Sequence, residues 1–339
     1  MPERRTTFSK FIIEDRTRPQ PDPDLTALLN DVQTACKFIA SAVSRGALDP
    51  NAPSAQEIML RECEWGGLRG MASTEGDEPH HVPETYRRGR YLLAFDALDG
   101  SPNLDVDVAV GTIFSILRAP DGVDAPSVAH FLQPGPAQIA AGFALYGPSS
   151  TLVITLGAGV HGFTLDREIG AYTLTHPDIR IPTETREFAI NASNARVWET
   201  PVRHYIEECV EGTAGPRGAE FTMRWVDSLA AEVYRVLMRG GLYVDPRALE
   251  DGVPTARLQI LFEAAPMAFI VEQAGGAAST GRGRILDIVP SRLRERVPVI
   301  LGSRLEVERL ERYHDTHDRG EELAFETPLF NSRSLFRAG

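Results

Sequence analysis

The junction between an apolar run and an acidic turn at residues 91–100 constrains this chain more than any other feature. Residues 91–95, YLLAF, are apolar enough for a core strand, and Asp96 and Asp99 follow at once on a tight Ala-Leu-Asp-Gly turn. This placement brings two carboxylates together at one strand end. Because like charges so close repel each other, something else in the structure must compensate them.

Length and charge narrow the classes of protein that the chain can represent. Its 339 residues suffice for one large domain or two smaller ones with an ample core. The formal net charge of −12 argues against nucleic acid or an anionic membrane as a partner. An anionic substrate would therefore have to be attracted by local cations rather than by the overall field.

Cysteine usage and the N-terminal sequence indicate a cytoplasmic protein. Cys36, Cys63 and Cys209 are far apart and odd in number, which favours reduced structural thiols over a disulfide framework or a zinc site. Residues 1–16 lack the apolar core of a signal peptide, and no run reaches the ~18 apolar residues of a membrane span. We expect a cytoplasmic chain without a membrane segment.

The hydrophobic pattern predicts two α/β halves. A helix with a continuous apolar stripe occupies residues 25–43, with Asp24 as its N-cap. Residues 104–108, LDVDV, alternate with a period of two, which predicts a half-buried strand. The middle of the chain is rich in strands, whereas strands alternate with helices after about residue 181. We therefore expect an N-terminal α/β domain at 1–180 and a C-terminal α/β domain at 181–339.

A third carboxylate, Glu263, follows the predicted strand LQILF at residues 258–262 and directly precedes a predicted helix. Ligands of open α/β sheets bind at the carboxyl ends of strands. Together, Asp96, Asp99 and Glu263 could bind a hard divalent cation and support phosphoryl transfer. The alternative, that each is an ordinary surface acid, stays open on the residues alone. Further on, Ser303 and Glu306 predict a capping box at the start of the last helix.

The stretch FDALDGSPNLDVDVAVGTIFSIL closely resembles the signature of class I fructose-1,6-bisphosphatases of the bacterial type. The resemblance continues through INASNAR, MRW, EAAPMAFIVEQAGGAASTG and PVILGS and covers roughly residues 7–315. It implies the layered α/β/α/β/α sugar-phosphatase fold that is shared with inositol monophosphatases. It also implies a homotetramer that uses Mg²⁺ or Mn²⁺ to hydrolyse the 1-phosphate of fructose 1,6-bisphosphate, in gluconeogenesis or the Calvin cycle.

The resemblance also assigns roles to individual positions. Catalytic carboxylates that bind the metal are implied at Glu75, Asp96, Asp99 and Glu263, with the carbonyl of Leu98 as a further ligand. Substrate contacts are implied at Gly100 and Ser101 (backbone amides on the 1-phosphate), Asn191 (6-phosphate), Arg224 (reaching a neighbouring subunit's site) and Arg257 (in place of a sugar-contacting lysine).

Several positions depart from the family pattern. Between the first helix and the predicted helical segment IMLREC at residues 58–63, relatives carry about a dozen more residues. These residues form a loop that closes over the metals. Where relatives read ASEE or SEED, this chain reads Ser73-Thr74-Glu75-Gly76, so either Thr74 replaces the metal-bridging glutamate or a one-residue slip makes Glu75 the ligand. Asp245 replaces a substrate-contacting tyrosine, where an acid would repel phosphate.

These departures leave two alternatives beside the phosphatase. One is a catalytically deficient homologue that binds sugar phosphate or co-assembles with an active paralogue, and the other is a phosphatase for a different sugar or inositol phosphate. In addition, Pro23 occupies a glycine position whose amide approaches the phosphate of AMP in relatives, near Thr26, Arg90 and Tyr91. Because proline has no N–H, we expect weak inhibition by AMP or none.

Overall fold

The computed structural model describes residues 5–14, 22–49, 51–65, 67–122, 125–250 and 253–321. The helices are α1 (Phe8–Glu14), α2 (Pro23–Arg45), α3 (Ala55–Cys63), α4 (Val128–Phe131), α5 (Thr200–Val210), α6 (Leu229–Arg239), α7 (Ala265–Gln273) and α8 (Arg304–Asp318). The strands are β1 (Leu68–Ser73), β2 (His80–His81), β3 (Tyr91–Asp99), β4 (Val110–Arg118), β5 (Gln138–Tyr146), β6 (Ser150–Thr155), β7 (Val160–Asp166), β8 (Ala171–His176), β9 (Glu187–Ile190), β10 (Thr222–Met223), β11 (Leu242–Asp245), β12 (Ala248–Glu250), β13 (Val253–Thr255), β14 (Leu258–Gln259), β15 (Ala277–Ser279), β16 (Arg296–Val297) and β17 (Val299–Gly302).

Two sheets form the framework. The larger has eight strands in the order β2-β1-β3-β4-β5-β6-β7-β8, and its pairs are antiparallel except for β1 with β3. The smaller has five strands in the order β10-β9-β11-β17-β15, with β9 parallel to both of its neighbours. Two short antiparallel pairs, β12 with β13 and β14 with β16, lie outside them.

Apolar cores join these sheets to the helices that pack on them. Helices α1 to α3 cover one face of the large sheet through the core that contains Phe8, Leu28, Met59 and Phe95. Helices α6 and α7 fill the space between the two sheets. The outer face of the small sheet packs on α5 and α8, because alternate residues of β11 point into different cores. The predicted α/β/α/β/α layering is confirmed.

Local predictions were wrong at four places. The N-cap of α2 is Asp22 rather than Asp24, because the Asp22 carboxylate accepts hydrogen bonds from the Asp24 and Leu25 amides. Residues 101–106 form a 3₁₀ helix instead of a strand, which leaves Leu104, Val106 and Val108 exposed. The predicted strand LQILF shortens to β14, since residues 260–264 form a π-helical turn. At Ser303 no side-chain cap hydrogen bond forms.

The two halves of the sequence meet where α6 crosses the large sheet. A Cβ atom built at Gly111 of β4 would lie 2.3 Å from the Cβ atom of Ala230 in α6 and 2.8 Å from the Ala144 carbonyl oxygen. The missing side chain therefore lets the helix approach the strand closely. None of the helices in the described ranges has the length and apolar character that crossing a membrane requires.

We predict that Gly111→Ala lowers the free energy of unfolding by about 1–3 kcal/mol, because the added methyl group overpacks the contact between β4 and α6. Urea unfolding followed by circular dichroism would measure the change. Gly283→Ala is the matched control, since a Cβ atom there meets nothing within 4 Å. Equal stability of the two variants would contradict the close approach of α6.

Candidate active site

Three carboxylates from distant parts of the chain meet beside the C-terminal end of β3. One oxygen from each of Asp96, Asp99 and Glu263 lies within 4.8 Å of the others. Asp96 pairs with Ile113 of β4 and Asp99 with Gly111, so β3 contains one residue more than β4 across this interval. In a regular strand, residues three apart point to opposite faces, and the bulge corrects this alternation so that both aspartates face one site.

Glu263 reaches the site from the π-helical turn that precedes α7. Its carboxylate accepts a hydrogen bond of 2.6 Å from the backbone amide of Gln259, four residues earlier. Such turns recur at functional sites, because they change the direction of a side chain within an otherwise helical segment. The sequence placed Glu263 between a strand and a helix, whereas the π-helical turn provides that transition.

Burial and mutual repulsion make this cluster electrostatically costly by itself. Burial, followed by repulsion from Asp99, raises the pKa of Asp96 to about 7. Burial, followed by repulsion from Asp96, raises the pKa of Glu263 to about 8. A divalent cation would compensate this charge, and the all-oxygen donor set is the one that Mg²⁺ and Mn²⁺ prefer. The three residues therefore fit a cation of this type.

Asp99 also anchors α6. Its carboxylate accepts hydrogen bonds from the Ser228 hydroxyl (2.6 Å) and from the Leu229 (3.1 Å) and Ala230 (2.9 Å) amides. These amides belong to the first turn of α6, where unpaired N–H groups and the helix dipole favour an anion. Sequence reasoning missed Ser228, although a serine directly before a predicted helix is a recognisable N-cap signal.

The segment after β1 places Thr74 rather than Glu75 against the cluster. The Thr74 hydroxyl donates a hydrogen bond of 3.1 Å to Asp96. Glu75 is exposed and lies outside the group of three converging carboxylates, although it is close enough to contribute to the raised pKa of Asp96. Gln56 of α3 supports the segment, because its amide donates a hydrogen bond of 2.8 Å to the Ser73 hydroxyl.

The turn after Asp99 requires a glycine. Gly100 has a φ of +71°, and a Cβ atom there would lie 2.7 Å from the Cβ atom of Ser228. It directly precedes Ser101, the first residue of the 3₁₀ helix at 101–106. The conformation thus packs the backbone of Gly100 against the start of α6, beside the acidic cluster.

The side chain of Arg257 lies between two carboxylates. Its Nε atom is 3.2 and 3.3 Å from the two Asp245 oxygens, and a terminal nitrogen is 3.5 Å from Asp227. Asp245 is buried, so its charge is balanced by Arg257 instead of being free to repel a phosphate. Asp227 precedes Ser228, and this short segment connects Arg257 to the residues that bind Asp99.

The remaining predicted substrate residues have other partners. The Asn191 side chain accepts hydrogen bonds from the amide (3.1 Å) and hydroxyl (2.5 Å) of Ser193. Arg224 is half exposed and lies 3.4 Å from Glu187. Asp96, Asp99, Glu263 and Gly100 are therefore brought together around one site, whereas Asn191 and Arg224 are held in local contacts of their own.

The layered fold and the three converging carboxylates are those expected of a sugar phosphatase, and sequence comparisons narrow this class. Residues 55–177 match the family model of the fructose-1,6-bisphosphatase N-terminal domain, and residues 181–315 match that of its C-terminal domain. The chain belongs to the fructose-1,6-bisphosphatase family.

Individual relatives agree with this assignment over nearly the whole chain. A class 1 fructose-1,6-bisphosphatase of Methylacidiphilum infernorum is 55% identical over 350 residues, which cover 98% of each protein. That of Hydrogenophilus thermoluteolus is 50% identical over 351 residues, covering 98% of this chain and 97% of the relative. The holo structure of Leishmania major fructose-1,6-bisphosphatase superposes with a TM-score of 0.84 at 32% identity, covering 92% of this chain and 99% of the other.

We predict that Asp96→Asn weakens Mn²⁺ binding about 100-fold or more, since even the outer partners of metal ligands account for about 10–100-fold. Isothermal titration calorimetry would measure the affinity, with the exposed Asp105→Asn as a control for the lost charge. The metal-free variant should keep its thermal stability, because the substitution removes a repelling carboxylate. Asp99→Asn should lower it by releasing α6. Unchanged Mn²⁺ affinity in Asp96→Asn would exclude Asp96 as a ligand.

Proposed function

We propose that this protein hydrolyses the 1-phosphate of D-fructose 1,6-bisphosphate to fructose 6-phosphate and phosphate. Membership of the fructose-1,6-bisphosphatase family supports this activity. The observation that carries the proposal is the convergence of Asp96, Asp99 and Glu263 next to the turn at Gly100. Three converging carboxylates repel one another, and a cation bound between them would compensate this charge and attract a phosphate group.

The acidic cluster would hold the metal ion. A divalent cation bound there, Mg²⁺ or Mn²⁺, would polarise the phosphate and lower the pKa of the attacking water. Asp96, Asp99, Glu263 and the Leu98 carbonyl are its proposed ligands, and Glu75 is proposed as a further metal-site acid. Thr74 would keep the Asp96 carboxylate oriented through its hydrogen bond.

The proposed substrate contacts come from several parts of the chain. The backbone amides of Gly100 and Ser101 would donate hydrogen bonds to the 1-phosphate. Arg257 would contact the sugar, and its ion pair with Asp245 would fix the orientation of its guanidinium group. Asn191 and the Arg224 of a neighbouring subunit would bind the 6-phosphate.

Glu75 is the proposed acceptor for the proton that the attacking water loses. It is exposed beside the cluster, so its carboxylate can receive a proton and return it to solvent. A positioned general base contributes about 10²–10⁴-fold to rate. In this chain the role of general base is proposed for Glu75, which is exposed.

Assembly and context follow from the same proposal. A homotetramer would bring the half-exposed Arg224 to a neighbouring active site. We place the protein in the cytoplasm, in gluconeogenesis or the Calvin cycle, and divide it into domains at 1–180 and 181–339.

The catalytically deficient homologue is not favoured by any of the described residues or by the comparisons. The three carboxylates are retained, and Thr74 joins the cluster through a hydrogen bond to Asp96. The acid at 245, which suggested repulsion of the substrate, is neutralised by Arg257. Both departures are therefore accommodated without loss of the acidic cluster.

Phosphate release with saturating Mg²⁺ or Mn²⁺ tests the proposal. We expect release from fructose 1,6-bisphosphate, little from inositol 1-phosphate, and loss of activity in Asp96→Asn because the cluster loses a ligand. Asp105→Asn is the control and should retain activity. Preference for inositol phosphate would assign another phosphatase activity, whereas binding of fructose 1,6-bisphosphate without turnover would support the deficient homologue.

The N-terminus of α2 carries a carboxylate of this same chain. Asp22 accepts hydrogen bonds from the Asp24 and Leu25 amides, from the Tyr91 hydroxyl at 2.5 Å and from Arg90 at 2.8 Å. Although burial alone raises the pKa of Asp22, the hydrogen bonds from Tyr91 and Leu25 and the charge of Arg90 lower it overall. An ionised carboxylate thus engages groups that lie where relatives bind AMP.

We predict that AMP does not inhibit this enzyme, since Asp22 already engages the helix amides, Arg90 and Tyr91, and Pro23 has no N–H to offer. Initial rates over a range of AMP concentrations would measure the effect, with an AMP-sensitive fructose-1,6-bisphosphatase assayed in parallel. Inhibition of both enzymes over the same concentration range would contradict the prediction.

A further inference from the structure

A cleft of about 450 Å³ lies in the C-terminal half, outside the catalytic site. It opens between one face of α8, the segment before β9 and the loop at 217–221. Four arginines line this cleft, together with two glutamates: Arg186, Arg217, Arg309, Arg312, Glu184 and Glu306. The chain as a whole carries a net charge of −12, so this local excess of cations runs against the overall composition.

One wall of the cleft is rigid. The Arg217 guanidinium lies 2.6 Å from Glu306, and both side chains are only 7% exposed. Arg217 also stacks 4.4 Å from the ring centroid of Phe221. Glu306 accepts a second hydrogen bond, of 2.7 Å, from the Tyr205 hydroxyl. This pair is neutral overall, and it shapes the cleft without using the other arginines.

Arginines with fewer partners line the rest of the cleft. Arg309 and Arg312 lie three residues apart on α8 and therefore share one face of the helix. Arg309 donates a hydrogen bond of 3.2 Å to the Tyr313 hydroxyl and lies 3.8 Å from Glu208. Neither Arg186 nor Arg312 makes a side-chain hydrogen bond or an ion pair with any residue of the described ranges. Two guanidinium groups are thus available to a ligand.

We infer that this cleft binds a small phosphate-bearing anion. The planar guanidinium group donates paired hydrogen bonds that match phosphate oxygens. Two such groups facing one cleft favour a ligand that has several phosphate oxygens. The volume lies within the range of about 300–1,000 Å³ typical of small-molecule sites. A long polyanion such as nucleic acid is disfavoured, because the chain as a whole carries a net charge of −12.

Pyrophosphate serves as the probe in isothermal titration calorimetry, in buffer with EDTA so that no cation binds the probe at the acidic cluster. We expect the wild type to bind pyrophosphate. The Arg186→Ala/Arg312→Ala double variant should lose at least about tenfold in affinity, because charged hydrogen bonds are lost. Arg319→Ala, an exposed arginine on the C-terminal side of α8, is the matched control and should bind like the wild type.

Other readouts separate this site from the catalytic one. Asp96→Asn should leave pyrophosphate affinity unchanged, while the double variant should keep the wild-type rate on fructose 1,6-bisphosphate and the wild-type circular dichroism spectrum. Absence of binding to the wild type would overturn the inference. So would unchanged affinity in the double variant, or an equal loss in Arg319→Ala.

Discussion

The contact between Asp99 and the N-terminus of α6 is the interaction on which the site and the joining of the two halves both depend. Asp99 ends β3 in the large sheet, whereas α6 lies in the middle layer and packs through Ala230 against Gly111 of β4. Its carboxylate accepts three hydrogen bonds from Ser228, Leu229 and Ala230 at the start of this helix, so this member of the acidic cluster is fixed by elements from both halves. Glu263 then reaches Asp96 and Asp99 from the next element of the middle layer. The geometry of the acidic cluster is thus a consequence of how the layers stack.

The sequence predicted the members of the acidic cluster but not the backbone irregularities that orient their side chains. Asp96 and Asp99 could be paired because they follow an apolar strand at a turn, and Glu263 because it precedes a helix. The bulge in β3 and the π-helical turn at 260–264 were not predictable, since each depends on the partner strand or on packing against α7. The strand predicted at residues 104–108 was wrong for a related reason. Alternation of apolar and polar residues indicates a strand only where a neighbouring strand pairs with the segment. Here the turn at Gly100 leads the chain into a 3₁₀ helix instead.

Two departures from the family pattern, at residues 245 and 257, are in contact with each other, and their effect on the site has to be judged together. Taken alone, Asp245 places an acid near a phosphate, and arginine at 257 alters the geometry of a sugar contact. Together they form an ion pair between the half-exposed Arg257 and the buried Asp245, so the charge of the acid is balanced by the arginine. A single sequence does not show that residues twelve positions apart face each other across the site. Pairing of this kind is a property of the fold, whereas each residue's chemistry is visible in the sequence.

Charge compensation and proton transfer are separated in this site. The first depends on buried carboxylates whose positions are set by β3, α6 and the π-helical turn. The second would depend on Glu75, which stays exposed after β1.

A cleft of about 830 Å³ between the end of α2, the start of α3 and the 3₁₀ helix includes Leu98 and Pro53 in its lining, at the position where the relatives' longer loop would be attached. Without that loop to exclude water, solvent reaches the exposed Glu75 side chain directly. A cation bound at the cluster would lower the pKa of the attacking water, so less proton affinity would be required of the group that accepts its proton. The retained cluster can therefore support hydrolysis even though the acid beside it is exposed.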